Sequence, residues 1–177
     1  MTNFLHWVGR LASALTALAL INVATTHAQK PAHQLRGLTE LKLRIEILDK
    51  DATTCGINDS LVRNAFMYPA RGAGLNVVTE PSAGAPVFHI NIITTRDRDL
   101  CVSSVQVRVY NYQRVKLEYQ EYETFAEVTL WTAGLVAFAD QRRHGNQIKS
   151  AVKDMTKNFV TVWNLSNKQQ QSAPPVK

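Results

Sequence analysis

The sequence predicts an α+β two-layer sandwich, a mostly antiparallel sheet with helices on one face. Three observations lead there. Several segments alternate apolar and polar residues with the period of two that a half-buried strand imposes. The last long segment switches to the three-and-four spacing of an amphipathic helix. Between the first helix and the last run several strand-like segments with tight-turn signals, too few crossover helices for a doubly wound parallel sheet, which is the runner-up architecture.

The first 28 residues set the compartment. One basic and no acidic side chain precede the apolar run "LASALTALALINVA", Leu11 to Ala24, and at 14 residues that run falls short of the roughly 20 a spanning helix needs. Thr26-His27-Ala28 puts small residues where signal peptidase reads, so cleavage after Ala28 is expected, with a periplasmic or secreted product. A lipid anchor would need a cysteine at the cleavage site, and the first cysteine is Cys55. Removing the signal leaves 149 residues with a net formal charge of +5, one domain's worth of chain. For an exported protein that charge points to anionic lipid headgroups, glycans or acidic proteins and away from nucleic acid. No transmembrane segment is expected once the signal is gone.

Residues 29–37 are polar and without periodicity, and read as a flexible leader to a domain over 38–167. "LTELKLRIEILDK" sets Leu41, Leu43, Ile45 and Ile47 on one strand face and Lys42, Arg44 and Glu46 on the other. After the Cys55 loop, Asp59 is the expected N-cap of a helix whose stripe is Leu61, Val62, Ala65 and Phe66, disrupted or ended by Pro69 and the glycines of "ARGAGL". "LNVV" is a short strand and "TEPSAGAP" a loop. In "VFHINIITT", Phe88, Ile90 and Ile92 oppose His89 and Asn91. "TRDRDL" is a charged turn. "CVSSVQVRVYNY" is a long strand with Cys101, Val105, Val107 and Val109 facing the core. "RVKLEYQ", which aligns Val115, Leu117 and Tyr119, and "TFAEVTLWT" are the next antiparallel strands. In "GNQIKSAVKDMTKNFVTVWNLSNK", Ile148, Val152, Met155, Phe159 and Val162 form one helical stripe, and residues 168–177 are a disordered tail.

Cys55 lies near a helix start, where a thiol ionises readily, yet export and a total of two cysteines favour a single Cys55–Cys101 disulfide over a nucleophile. His33, His89 and His144 have no second ligand at metal spacing and read as surface residues, so neither a metal nor a cofactor is expected. The pairs Asp49/Asp51 and Asp97/Asp99 sit among basic residues in loops, and no GxSxG, SxxK, HExxH or phosphate-binding glycine loop occurs, so no catalytic residue is assigned. The candidate binding face is Arg108, Tyr110, Tyr112 and Arg114, which alternate opposite the buried valines and suit a protein, glycan or anionic partner. The competing role for these side chains is cross-strand packing against Phe125 and Trp131.

"CGI" with a following "YPARGAGLNV", then "CVSSVQVRVY", "LW" before a glycine, and "FVTVWNLSN" resemble, over roughly residues 38–167, a group of uncharacterised exported bacterial proteins. Their plan looks like the α/β sandwich of the TolB N-terminal domain and of periplasmic lipoprotein accessory factors. The resemblance implies a non-catalytic accessory or binding protein of the cell envelope. A hydrolase with a site assembled from distant residues and a structural or stress-related protein without a specific ligand are the alternatives.

Overall fold

The computed structural model describes residues 33–78 and 84–171. The expected signal peptide, the first residues of the leader, most of the "TEPSAGAP" loop and the last six residues of the tail lie outside them. A 3-10 turn (His33–Leu35) leads into β1 (Glu40–Leu48), followed by a one-turn helix α1 (Asp51–Thr54), α2 (Asp59–Gly72), β2 (Asn76–Val78), β3 (Val87–Asp97), β4 (Leu100–Lys116), β5 (Glu123–Asp140) and α3 (Gln141–Gln171). The strands form one sheet in the order β2-β1-β3-β4-β5. The two longest pairings, β3–β4 and β4–β5, are antiparallel, while β1 runs parallel to both β2 and β3. The α+β sandwich is therefore present, with a parallel corner where α2 carries the chain from β1 to β2.

Alternation decides which face each strand buries. Leu41, Phe88, Ile90, Ile92, Val105, Val107, Val109 and Trp131 point at the helix layer and are buried, and α2 and α3 meet them with Val62, Phe66, Ile148, Val152 and Phe159. Phe88 is the centre of this contact: its ring lies 4.4 Å from Phe66 of α2, 5.2 Å from Phe159 of α3 and 6.3 Å from Trp131 of β5, centroid to centroid. Such aromatic contacts add about 0.5–1.5 kcal/mol each to the area they bury.

The ends of the elements differ from the sequence expectations in instructive ways. Asn58 is the N-cap of α2, its side chain accepting from the Leu61 amide at 2.9 Å, and Asp59 is instead the first helical residue, paired with Arg63. Pro69 does not stop α2, which runs on to Gly72. The expected leader is pinned from residue 35 on: Leu35 and Leu38 join the core, Trp163 Nε1 donates to the Leu38 carbonyl at 2.8 Å, and Asn167 holds both the Leu35 carbonyl and the Gly37 amide. At the other end α3 continues through residues 168–171, which the sequence assigns to the tail, and begins at Gln141 directly from β5, with the Asp140 carboxylate accepting from the Arg143 amide. "RVKLEYQ" is not a strand of its own. β4 continues to Lys116, and Leu117 and Tyr119 belong to the turn.

One corner is locked covalently. Cys55, just after α1, is bonded to Cys101 at the start of β4, with Cα atoms 6.1 Å apart and both residues fully buried. Beside it Gly56 and Gly145 bring α3 against the Cys55 loop so closely that a Cβ at Gly145 would strike the Gly56 carbonyl oxygen. Asp49, at φ 90°, ties the same corner to β3 by accepting from the Thr94 amide, and its other oxygen accepts from Asp51. The Asp49/Asp51 pair is thus part of a loop clamp.

Closing a loop of 46 residues restricts the unfolded chain by about 4 kcal/mol in the entropic model, so reduction should lower the urea midpoint by an amount worth about 2–4 kcal/mol. An unchanged midpoint after confirmed reduction would contradict this. Gly145→Ala should lower the melting temperature with the disulfide intact, because the methyl group meets the Gly56 backbone, which cannot swing aside as a side chain would.

Candidate functional site

The helices cover one face of the sheet, so the other must satisfy itself. Its side chains include Arg44 and Glu46 of β1, His89 of β3, Arg108 and Tyr110 of β4 and Glu127 of β5, with Arg44, His89 and Arg108 opposite one another and Glu127 opposite Tyr112. They form one connected belt. Arg108 Nε donates to His89 Nδ1 at 3.3 Å, which requires that nitrogen to be the acceptor, so Nε2 carries the proton and donates to Glu46 Oε2 at 2.9 Å. The same guanidinium donates through Nη1 to Glu127 Oε1 at 2.8 Å, and the Tyr112 hydroxyl donates to Glu127 Oε2 at 3.1 Å. Burial holds the His89 ring below the usual histidine range against the pull of its hydrogen bond to Glu46, with Arg108 and Arg44 adding to the depression. The hydrogen bond to Glu127 raises the Tyr112 phenol above its ordinary value.

The sequence-derived binding face divides in two on this framework. Tyr110 is 3% exposed, wedged edge-on between His89 and Tyr112 with Arg108 stacked 4.9 Å from its centroid, so the expectation of an exposed Tyr110 is overturned. Arg108 is half-buried and committed to Glu127 and His89. Tyr112 and Arg114 are exposed as expected, and Tyr112 stacks on Phe125 with centroids 5.9 Å apart and planes 13° from parallel. Phe125 is thus the cross-strand partner expected for the tyrosines. Trp131 is not, because a bulge shifts the register between Val109 and Tyr110, makes Leu130 the extra residue and turns Trp131 into the core.

β4 and β5 also outrun the sheet. The β3–β4 ladder ends at Val87 opposite Tyr110, while β4–β5 pairing continues to Lys116 opposite Glu123. Six further residue pairs make a two-stranded ribbon projecting about 20 Å. Tyr112, Tyr119, Tyr122 and Phe125 are exposed on it, Phe125 to 70%. Four of the chain's five tyrosines fall between residues 110 and 122, a compositional signal that strand-by-strand reading passes over.

A second cluster lies under the disulfide. His144, which the sequence places on the surface, is fully buried in the first turn of α3. Its Nε2 is 2.7 Å from Ser103 Oγ, which is 2.9 Å from Thr94 Oγ1, and its Nδ1 has no partner. Ser103 faces the helix layer because it continues the alternation of Cys101 and Val105, and a histidine four residues into a helix that starts without a loop is carried inward. Serine and imidazole at this distance have the geometry of a nucleophile and its base, but both are sealed from solvent. Burial lowers the His144 pKa. Among the described residues no group of three or more His, Cys, Asp or Glu side chains is placed to hold a metal ion, and no helix is long and apolar enough to cross a membrane.

No family model matches the chain, and no curated protein matches it. Among solved structures it is similar to a minor lipoprotein from Acinetobacter baumannii, with 8% identity over 71% of this chain and 90% of that one and a TM-score of 0.38. It is also similar to an uncharacterized protein, with 10% identity over 72% and 91% of the two chains and a TM-score of 0.40. These comparisons add nothing to the TolB resemblance.

His89 and His144 both hold their protons less readily in the folded chain than unfolded, so the unfolded state takes up protons first as pH falls. Their contribution to stability is complete above the unfolded value of about 6.5 and is lost as pH drops through it toward the lower folded values. Melting temperature should be level near pH 7.5 and decline between pH 6.5 and 5, and His144→Gln should flatten that decline. An equal slope in the variant would remove His144 from the account.

Proposed function

We propose that this chain is a non-catalytic accessory protein of the cell envelope, exported by cleavage after Ala28, that grips a protein partner with the β4–β5 ribbon and the adjoining helix-free face. The observation that carries the reading is the ribbon: a projecting pair of strands that displays Tyr112, Tyr119, Tyr122 and Phe125 to solvent. An isolated two-stranded hairpin is marginal in water, and leaving large rings uncovered gains it nothing in the free chain. Exposed aromatic side chains held in fixed rotamers by stacking are what interface hot spots are made of. The polar belt beneath has its hydrogen-bonding groups engaged with one another, so it stiffens the platform and holds no free base. The ribbon carries two basic and four acidic residues between 111 and 127, which favours a protein partner with a basic rim over an anionic lipid or glycan surface there.

The test compares partner capture from an envelope extract by the exported chain and by a Tyr112→Ala, Phe125→Ala double variant, with melting temperature as control. Hot-spot aromatics cost about 2 kcal/mol or more when truncated, roughly thirtyfold in affinity, and neither ring is part of the core. Lost capture with melting within a few degrees of the parent supports the reading. Unchanged capture, or loss that tracks unfolding, rejects the ribbon as the binding element.

A further inference from the structure

The two edges of the sheet are unlike. β2 ends one side after three residues, whereas β5 ends the other with eighteen, and among the described residues β5 has a single strand neighbour. Half of an edge strand's amide and carbonyl groups point away from the sheet and template another strand, which is why natural edges carry lysines, prolines or bulges, or are kept short. β5 has little of this protection. Val128–Ala139 contains no charge and no proline. Its bulge lies at Leu130, so Trp131–Ala139 pairs with β4 without interruption. This stretch also shows apolar side chains to solvent: Val136 at 67% and Phe138 at 69% on the helix-free face, next to Ile93 and Leu100, and Leu135 on the opposite face.

The geometry points to a second copy of this chain as the partner of that edge, joined β5 to β5 in antiparallel register about a two-fold axis at Leu135, so that two five-stranded sheets become one of ten strands. The nine-residue segment is complementary to itself in that register. Trp131 faces Ala139 of the copy, Thr132 faces Phe138, Ala133 faces Ala137, Gly134 faces Val136, and Leu135 meets Leu135 on the axis. Large side chains therefore meet small ones, the aromatic ring meets a β-branched residue, which is a favourable cross-strand pair, and the exposed valine lies over a glycine that offers it room. Charge agrees with this register: Glu127 and Asp140 fall outside the nine residues, and each is paired within its own chain, Glu127 with Arg108 and Asp140 with Arg143. The two-fold runs perpendicular to the sheet, keeping both helix layers on one side and joining the two Val136–Phe138 patches on the other. It is an isologous contact that closes at two copies, and it sends the two ribbons to opposite ends. The inference stands apart from the ribbon's role in binding.

Sedimentation equilibrium of the exported full-length product should give twice the mass of one chain at micromolar concentration. Leu135→Lys, which sets two like charges opposite each other on the axis, should weaken association at least tenfold. Val136→Lys should act in the same direction at a position so exposed that folding is unaffected. Leu135→Cys should produce a disulfide-linked dimer on oxidation. A parent chain that remains monomeric at high micromolar concentration would overturn the proposal. So would a dimer that both lysine variants leave intact and that Leu135→Cys does not cross-link, since that places the contact elsewhere.

Discussion

The packing of Phe88 against both long helices and β5 is the contact from which the rest of the architecture follows. A ring near the start of the central strand of five can touch α2, α3 and Trp131 together only if both helices lie on its side of the sheet. Placing them there exhausts the helical material of the described chain. The other face receives no cover, and each side chain that alternation sends to it must find a partner across the strands or remain in water.

The belt from Arg44 through Glu46, His89 and Arg108 to Glu127 is the answer near the centre of that face. Neutral His89 works as a two-ended connector, accepting from an arginine and donating to a carboxylate; burial favours that neutral state because it strips water from a charged ring, and an imidazolium there would in addition have to face Arg108. Tyr110 is drawn in under the belt, which explains why a tyrosine on the uncovered face is as hidden as the core residues Ala65 and Leu75. Farther along, where β3 has ended, no third strand among the described residues supplies partners, and Tyr112 and Phe125 stack on each other instead. The same arithmetic leaves Val136 and Phe138 open at the edge, because among the described residues no strand lies beyond β5 to cover them.

Period-two alternation was enough to read β1, β3 and most of β4 from the sequence, because a half-buried strand writes its burial directly into residue order. The apolar stripe of α3 was equally plain from Ile148 to Phe159. Two kinds of information were not written there. The bulge at Leu130 shifts the phase of β5 by one residue, and nothing in "EVTLWTAG" marks where the shift falls, so Trp131 was assigned to the wrong face. Parallel pairing of β1 with β3 depends on where α2 returns the chain, which is a tertiary fact. His89 and His144 depart from the surface expectation for a related reason. His89 obeys its alternation yet is buried, since burial on an uncovered face is decided by neighbours on other strands, and His144 lies inside a helix that starts seven residues earlier than its apolar stripe. The cysteines were legible because a chain with two cysteines has one intramolecular pairing to offer.

Stability and display are separated along the length of β4 and β5. At the Cys101 and Ala139 end these strands are held by the disulfide, the Gly56–Gly145 contact and the buried Ser103–His144 bond, where small changes in volume meet backbone. At the Lys116 and Glu123 end the same two strands touch little besides each other, so side chains there change without disturbing the core. Residues whose substitution costs little in folding are free to be chosen for what they contact outside the chain. A ribbon anchored in a locked corner about ten residue pairs away keeps the stacked Tyr112 and Phe125 rings in place without adding core of its own, and under the proposed binding role that lowers the entropy lost on association.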